Sequence, residues 1–296
     1  MTTESGVLYV VATPIGNLGD MTLRAVEIMR RCGRIVAEDT RRSRQLLSHF
    51  GIPGKTVDRL DAHANERDLA RVVGHLAQGE DVALLTDAGT PCVSDPGHGL
   101  VGAAIAAGVR VVPIPGASAV LAALVASGLA GEGRFRFLGF LPRSGSARRD
   151  ALAVVADTPE TVVLFEAPSR VQTTLRDLAD ATPLRRACVA REITKLHEQF
   201  VSGTCADLAS DPREWLGEIA LVLGAHVPDD RRTEVDDSAL DHRIDEALAR
   251  GDHVRTVAER VAAWSGRNKR DMYARVLDRR SRVNKASNNK APGSFE

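Results

Sequence analysis

At 296 residues, 44% of them hydrophobic, the chain is long enough for two or three domains with substantial cores. Its 39 Lys and Arg balance 39 Asp and Glu, which excludes a grip on nucleic acid by overall charge; the excess is local, eleven basic against five acidic residues from Gly251 onward. The four cysteines stand far apart without a C-x-x-C, so neither a zinc knuckle nor a disulfide framework is implied, and no His/Cys/Asp/Glu cluster has metal-ligand spacing. Met1–Gly6 carries no basic-then-apolar leader and no apolar run reaches membrane length, so a cytoplasmic protein without membrane contact is expected.

The chain opens on an apolar strand, Gly6–Ala12, that breaks at Thr13-Pro14-Ile15-Gly16-Asn17-Leu18. A helix follows from about Met21 to Cys32. A second strand, Ile35–Ala37, ends in Glu38-Asp39-Thr40, and a basic helix opens with Arg41, Arg42 and Arg44. Helix Asn65–Gln78 carries Leu69, Val72, Val73 and Leu76 on one face. The apolar run Val82–Leu85 then breaks at Asp87-Ala88-Gly89-Thr90-Pro91, with a second turn cluster at Ser94–Gly97. Helix Gly97–Ala107, strand Val109–Pro113, the turn Ile114–Ser118 and a small-residue helix, Ala119–Ser127, complete this part. Strands alternating with helices at such intervals make a parallel, doubly wound α/β sheet, and loops at the carboxyl ends of its strands are where ligands bind.

Gly128–Arg134 reads as a joint. Beyond it, Phe135–Leu141, Thr161–Phe165, Ala187–Glu192 and Glu218–Gly224 read as strands and Pro168–Ala181 as a helix, with Arg143–Arg149 a basic, flexible loop. Pro228–Asp237 is a charged linker. Three short helices follow, about Ala239–Ala249, Val254–Trp264 and Asn268–Arg280, the last two split by a helix-turn-helix type of turn, with Trp264 and Tyr273 expected in their core and a disordered tail from Asn284.

Gly97-His98-Gly99-Leu100-Val101-Gly102 matches a dinucleotide-binding pattern letter for letter. It follows a Pro-containing loop rather than a strand end, and no acidic residue stands about 20 positions on, so it is set aside. With that match set aside and a phosphate-binding P-loop pattern absent as well, the sequence argues against an ordinary dehydrogenase or NTPase.

Taken together, Thr13–Leu18, Ala37–Arg41, Asp87–Pro91 with Ser94–Gly97, Pro113-x-Pro-Gly116, Gly139-Phe-Leu-Pro142 and Ala190-Arg-Glu-x-Thr-Lys195 resemble the ribosomal small-subunit RNA methyltransferase I family. Its members are cytidine 2′-O-methyltransferases in the tetrapyrrole-methylase class. The resemblance covers Leu8 to His226 in order. It implies a two-domain class III methyltransferase fold plus a small all-α C-terminal domain, with limits at 1–115, 116–228 and 236–285. S-Adenosylmethionine is the implied cofactor, held in the cleft between the two α/β domains, with a homodimer implied as well, and 16S rRNA of the small ribosomal subunit is the implied partner. Carried over by position, the cofactor would touch Pro14, Asp87, Ala88, Gly89, Thr90, Val93, Ser118 and Ala119, then Leu164, Phe165, Gly217 and Ala225. A tetrapyrrole methyltransferase of the same fold and a non-enzymatic nucleic-acid-binding regulator are the alternatives.

For a base that takes the ribose hydroxyl proton, the candidates are Asp39, Glu166 and Glu192, with Lys195 to stabilise alkoxide charge and no metal. Each carboxylate also has a plainer use: Asp39 suits a helix N-cap, Glu166 can pair with Arg170, and Glu192 with Lys195. His63 and His197 rank below them. The expected RNA contacts are Arg41, Arg42, Arg44, Arg143, Arg148, Arg149 and Arg170, with Arg270 and neighbouring basic residues of the C-terminal helices adding phosphate contacts.

Overall fold

The structure is a computed structural model that describes residues 5–226, 237–265 and 267–288. The chain divides into two compact units, Met1–His226 and Val227–Glu296.

The first half of the larger unit alternates β1 (Val7–Val11), α1 (Leu23–Arg31), β2 (Arg34–Ala37), α2 (Thr40–His49), β3 (Thr56–Arg59), α3 (Glu66–Ala77), β4 (Val82–Leu85), α4 (His98–Ala106) and β5 (Arg110–Ile114). The five strands form one sheet in the order β3-β2-β4-β1-β5, and every pairing is parallel. The two-residue period of a strand divides the core. Tyr9, Val11, Ala83 and Leu85 pack with α1 on one face, while Leu8, Val82 and Leu84 meet Val72, Leu76 and Leu100 on the other. Covered on both faces, β4 is buried throughout, which is why Val82–Leu85 has no polar alternation. Polar side chains start the helices: Asp39 caps α2, and Asn65 with Asp68 forms a reciprocal capping box on α3.

The second half contains α5 (Ala119–Ala126), β6 (Phe135–Phe140), α6 (Gly145–Asp157), β7 (Thr161–Glu166), α7 (Pro168–Ala181), β8 (Arg186–Arg191), β9 (Gln199–Thr204), α8 (Cys205–Ser210) and β10 (Ile219–Leu223). Its sheet runs β6-β7-β10-β8-β9 and is mixed: β6 and β7 are parallel, the other pairs antiparallel. Val120, Ala123 and Leu124 of α5 pack on Val163, Cys188, Ala220 and Val222, so α5 joins this second sheet. Helices α6, α7 and α8 cover its other face. The basic segment 143–149 is not a free loop, because α6 starts at Gly145.

In the smaller unit, α9 (Asp237–Ala249), α10 (Val254–Ser265) and α11 (Lys269–Asn288) enclose Leu240, Ile244, Val257, Val261, Met272 and Val276. Trp264 and Tyr273 are not in that core: they are 42% and 44% exposed, and Arg243 lies 4.6 Å over the Trp264 ring. Arginines of α11 pair with aspartates of α9 in a ladder. Arg275 donates to Asp237 at 2.9 Å and to Asp241 at 2.7 Å, and Arg279 pairs with Asp241 and Asp245. The tail expected to be disordered from Asn284 is helical in α11 as far as Asn288; residues 289–296 lie outside the described residues, as does the linker 227–236. Among the described residues no helix is long and apolar enough to cross a membrane.

Candidate functional site: two adjoining cavities

Turns at the strand ends of the two sheets converge on a cavity of about 380 Å³. Ala88–Thr90 and Val93–Asp95 come from the connection after β4, Ser118–Val120 from the start of α5, Phe165–Pro168 from the junction of β7 with α7, and Gly217–Ala220 from the start of β10. The β4 turn is fixed to the β1 turn by two backbone bonds, Thr13 N–H to Gly89 O at 2.8 Å and Gly89 N–H to Thr13 O at 3.0 Å. The Thr90 hydroxyl donates to Ala117 O at 3.2 Å, which ties in the start of α5. Gly89 has φ +82°, a conformation that favours glycine. Cys92 and Ser94 adopt left-handed conformations at φ +70° and +60°, each of which costs a non-glycine residue about 1–3 kcal/mol. Of the two, Ser94 is in the lining of the cavity.

The walls are mostly apolar: Ile15, Val93, Val120, Ile193 and Ile219, with Phe140 and Phe165 stacked obliquely at 5.6 Å. The charged residues among its described lining are Asp95, Glu166 and Glu218; no lysine, arginine or histidine is among them. Burial pushes the Asp95 carboxyl up, and the negative charge of Asp87 adds to the shift. A cation beside Asp95 would relieve that cost. The chamber therefore suits a ligand that joins an apolar heterocycle to a positive centre, and S-adenosylmethionine, with its sulfonium, is such a ligand.

A second cavity, also about 380 Å³, shares Ile15, Ala88 and Glu218 with the first but has cations in its lining as well, Arg42 and Lys195 beside Asp87 and Glu218. Arg42, Gln45, Leu46 and His49 of α2 form one side, and Pro14, Gly16, Leu18 and Lys195 are also in its lining. Asp87 joins the two places. It accepts from Asp39 N–H at 3.1 Å and pairs with Arg42 at 3.4 Å, so the turn beside the first cavity also sets the start of α2.

Lys195 stands at the border. Its Nζ is 2.9 Å from Glu192 Oε1 and 3.0 Å from Glu218 Oε2. Burial alone would lower its pKa, but the two carboxylates outweigh that and hold the ammonium above its ordinary value. Glu192 is held below the usual carboxylate range by the Glu218 N–H and by Lys195. The loop that presents Lys195 is strained, with Glu192 at φ +52° and Thr194 at φ +68°. It also presses on the first lobe, since a Cβ on Gly16 would lie 2.5 Å from Lys195 Cγ.

Of the residues the sequence nominated for cofactor contact, Ala88, Gly89, Thr90, Val93, Ser118, Ala119, Phe165 and Gly217 line the first cavity, and Pro14 and Asp87 line the second. Leu164 and Ala225 line neither. Leu164 alternates with Phe165 along β7 and points into the core against α7, and Ala225 lies past the far end of β10 from the cavity. Asp39 acts as the α2 cap, accepting from Arg41 N–H at 2.8 Å. Glu166 is 2% exposed; it accepts from Ala167 N–H at 2.8 Å and the Thr174 hydroxyl at 2.7 Å and pairs with Arg170. Both oxygens are engaged.

Arg148 and Arg170 do not stand free for RNA. Arg148 is 8% exposed and donates to Asp177, Thr174 and Pro142 O, and Arg170 holds Glu166 and Leu141 O, because α6 and α7 pack these stems inward. Arg41, Arg42, Arg44, Arg143, Arg149 and Arg270 are exposed, as are His63 and His197. Sequence reasoning missed Glu218, Asp95, Phe140 and Ile193. Phe140 and Asp95 sit inside motifs already singled out, Gly139–Pro142 and Ser94–Gly97, but nothing in their spacing said which side chain faces inward.

Comparison with known proteins agrees with this geometry. The family of Tetrapyrrole (Corrin/Porphyrin) Methylases matches residues 7–209. The chain is 48% identical over 223 residues to the ribosomal RNA small subunit methyltransferase I of Xylella fastidiosa, covering 74% of this chain and 81% of that one. It is 41% identical over 280 residues to the protein of the same name in Micromonospora olivasterospora, covering 92% and 87%. Among solved structures, the methyltransferase CobJ aligns with TM-score 0.58 at 19% identity, covering 75% of this chain and 95% of that one. The uroporphyrin III C-methyl transferase of Thermus thermophilus aligns with TM-score 0.55 at 20% identity, covering 74% and 97%, and both show the shared fold. The chain thus belongs to the tetrapyrrole methylases and, within them, to the ribosomal RNA small subunit methyltransferase I family, and it is a methyltransferase.

Proposed function

We propose that this chain methylates the 2′-hydroxyl of a cytidine ribose in 16S rRNA of the small ribosomal subunit, using S-adenosylmethionine, as a cytoplasmic homodimer with domain limits at 1–115, 116–228 and 236–285. The observation that carries the reading is the charge contrast between the adjoining cavities. One offers carboxylates and no cation among its described lining; the other sets Arg42 and Lys195 beside Asp87 and Glu218. A cationic methyl donor suits the first and a polyanionic acceptor the second.

When bound, the cofactor supplies a methyl group already activated on a sulfonium. The chain's part is to hold the acceptor in line, which can supply most of the acceleration. Gly89, Thr90 and Ser118 offer backbone and small polar partners, and Phe140 and Phe165 offer a wall for the adenine. Glu218 reaches both cavities and is 72% exposed, so it takes the proton from the hydroxyl, a step worth about 10²–10⁴-fold. Lys195 balances charge on the ribose oxygen, and Glu192 positions Lys195. Glu166 keeps the β7–α7 turn in shape rather than accepting the proton, and Asp39 keeps α2 in place. Arg41, Arg42, Arg44, Arg143, Arg149 and Arg270 meet RNA phosphates.

The test offers tritiated S-adenosylmethionine to the full chain with purified small subunits, naked 16S RNA or a porphyrinoid. Label recovered in 2′-O-methylcytidine supports the reading. Label on the porphyrinoid, or none on any substrate, overturns it.

A further inference from the structure

Helix α2 turns a face of unusual composition toward the second cavity. Arg42, Gln45, Leu46 and His49 line it, at the i, i+3, i+4, i+7 spacing of one helical stripe, while Ser43 and Leu47 are buried and anchor the helix. A stripe of that spacing is usually apolar and faces a core. Here it is three-quarters polar and faces a chamber. The His49 ring meets Phe50 edge-on, with centroids 4.9 Å apart at 88°, and is itself exposed. Gln45 brings the one primary amide among the described lining residues of either cavity, and Leu46 and Pro14 add apolar surface.

A flat base wants apolar or aromatic faces above and below, an amide at its edge, and cations for the phosphates beside it. We infer that the second cavity seats the acceptor nucleotide itself, flipped out of its strand, with His49 stacking on the base, Gln45 hydrogen-bonding its edge and Arg42 holding a flanking phosphate. The inference rests on the proposed RNA methylation and adds the place and the residues. The base enters beside Lys195 and Glu218, so the ribose comes to the border that the two cavities share at Ile15, Ala88 and Glu218. The link through Asp87 has a purpose on this account. The carboxylate that pairs with Arg42 at 3.4 Å belongs to the turn beside the donor cavity, which keeps the phosphate-binding residue in register with the donor.

Gln45 and His49 are exposed, so their substitution leaves the core intact. The experiment uses the full-length chain as Gln45→Ala, His49→Ala and the double variant. It reads the affinity for a short cytidine-centred oligoribonucleotide by fluorescence anisotropy, the KM for small subunits, and the affinity for S-adenosylmethionine by calorimetry. Loss of a stack or an edge contact weakens oligonucleotide binding and raises KM by about fivefold or more for each single variant, with cofactor affinity within about twofold of wild type. An unchanged oligonucleotide affinity in the double variant overturns the inference, as does a wild-type chain that does not bind the oligonucleotide. A wild-type chain that binds the oligonucleotide through Gln45 and His49 yet leaves small subunits unlabelled sinks the proposed activity and keeps the site.

Discussion

Lys195 shows what single residues contribute. Two carboxylates hold its ammonium, two left-handed residues bend the loop that carries it, and Gly16 gives its stem room. Gly16→Ala would put a methyl 2.5 Å from Lys195 Cγ, and the neighbour that must yield is the side chain this account uses at the ribose oxygen. The expected result is a fall in kcat of about 10- to 100-fold, as for a lost charge-stabilising contact, with cofactor affinity unchanged; single-turnover methylation with calorimetry checks it. The pair also has a pH signature. Glu192 has its pKa depressed, so its contribution to stability is present above the ordinary glutamate range and is lost as pH falls through the lowered value. Lys195 has its pKa raised, so its contribution holds below the ordinary lysine range and is lost as pH rises through the raised value. At this scale the sequence was partly legible. The caps and ion pairs weighed for Asp39, Glu166 and Glu192 are all present in the structure, each at short range and expressed by local spacing. Glu218 reaches Lys195 across 23 positions of chain, and no local pattern announces that.

At the scale of elements, periodicity foretold the parallel sheet well because β1, β2 and β4 are buried on both faces and read as apolar runs. It missed β3 and β9, which are edge strands with polar, half-exposed sequences, and α6, whose first turns are Gly, Ser and Arg. Arg148 explains the last miss. An arginine in a Ser/Gly-rich stretch reads as solvated, yet Asp177 and Thr174 of α7 draw it inside. Arg185 is a still more buried case, 5% exposed, and it donates to the carbonyls of Gly224 and Val155 at 2.7 Å, Glu160 at 3.0 Å and Thr158 at 3.1 Å. One planar fork therefore joins the end of α6, the start of β7 and the exit of β10. Arg185→Ala leaves those carbonyls without their donor and is expected to cost about 3–5 kcal/mol, read as a lower urea midpoint at unchanged slope. Arg185→Lys should recover only part, because an ammonium cannot span four carbonyls in a plane.

For the whole molecule, the division at His226 leaves every described lining residue of both cavities in the first unit. The ladder between α9 and α11 occupies Arg275 and Arg279, while Lys269, Arg270 and Arg280 are exposed on α11, and the proposed function assigns phosphate contact to this surface. A chain ending at His226 is expected to bind S-adenosylmethionine like the full protein but RNA more weakly, with a shallower dependence on salt. An RNA affinity and salt slope equal to those of the full chain would remove the helical unit from recognition. The most direct test of the account is calorimetric titration of the full chain with S-adenosylmethionine, wild type against Ala119→Lys, which places a cation in the donor cavity. Saturable uptake by the wild type is expected, with its loss in a variant that remains folded. No uptake by the wild type, or equal uptake by both, would contradict it.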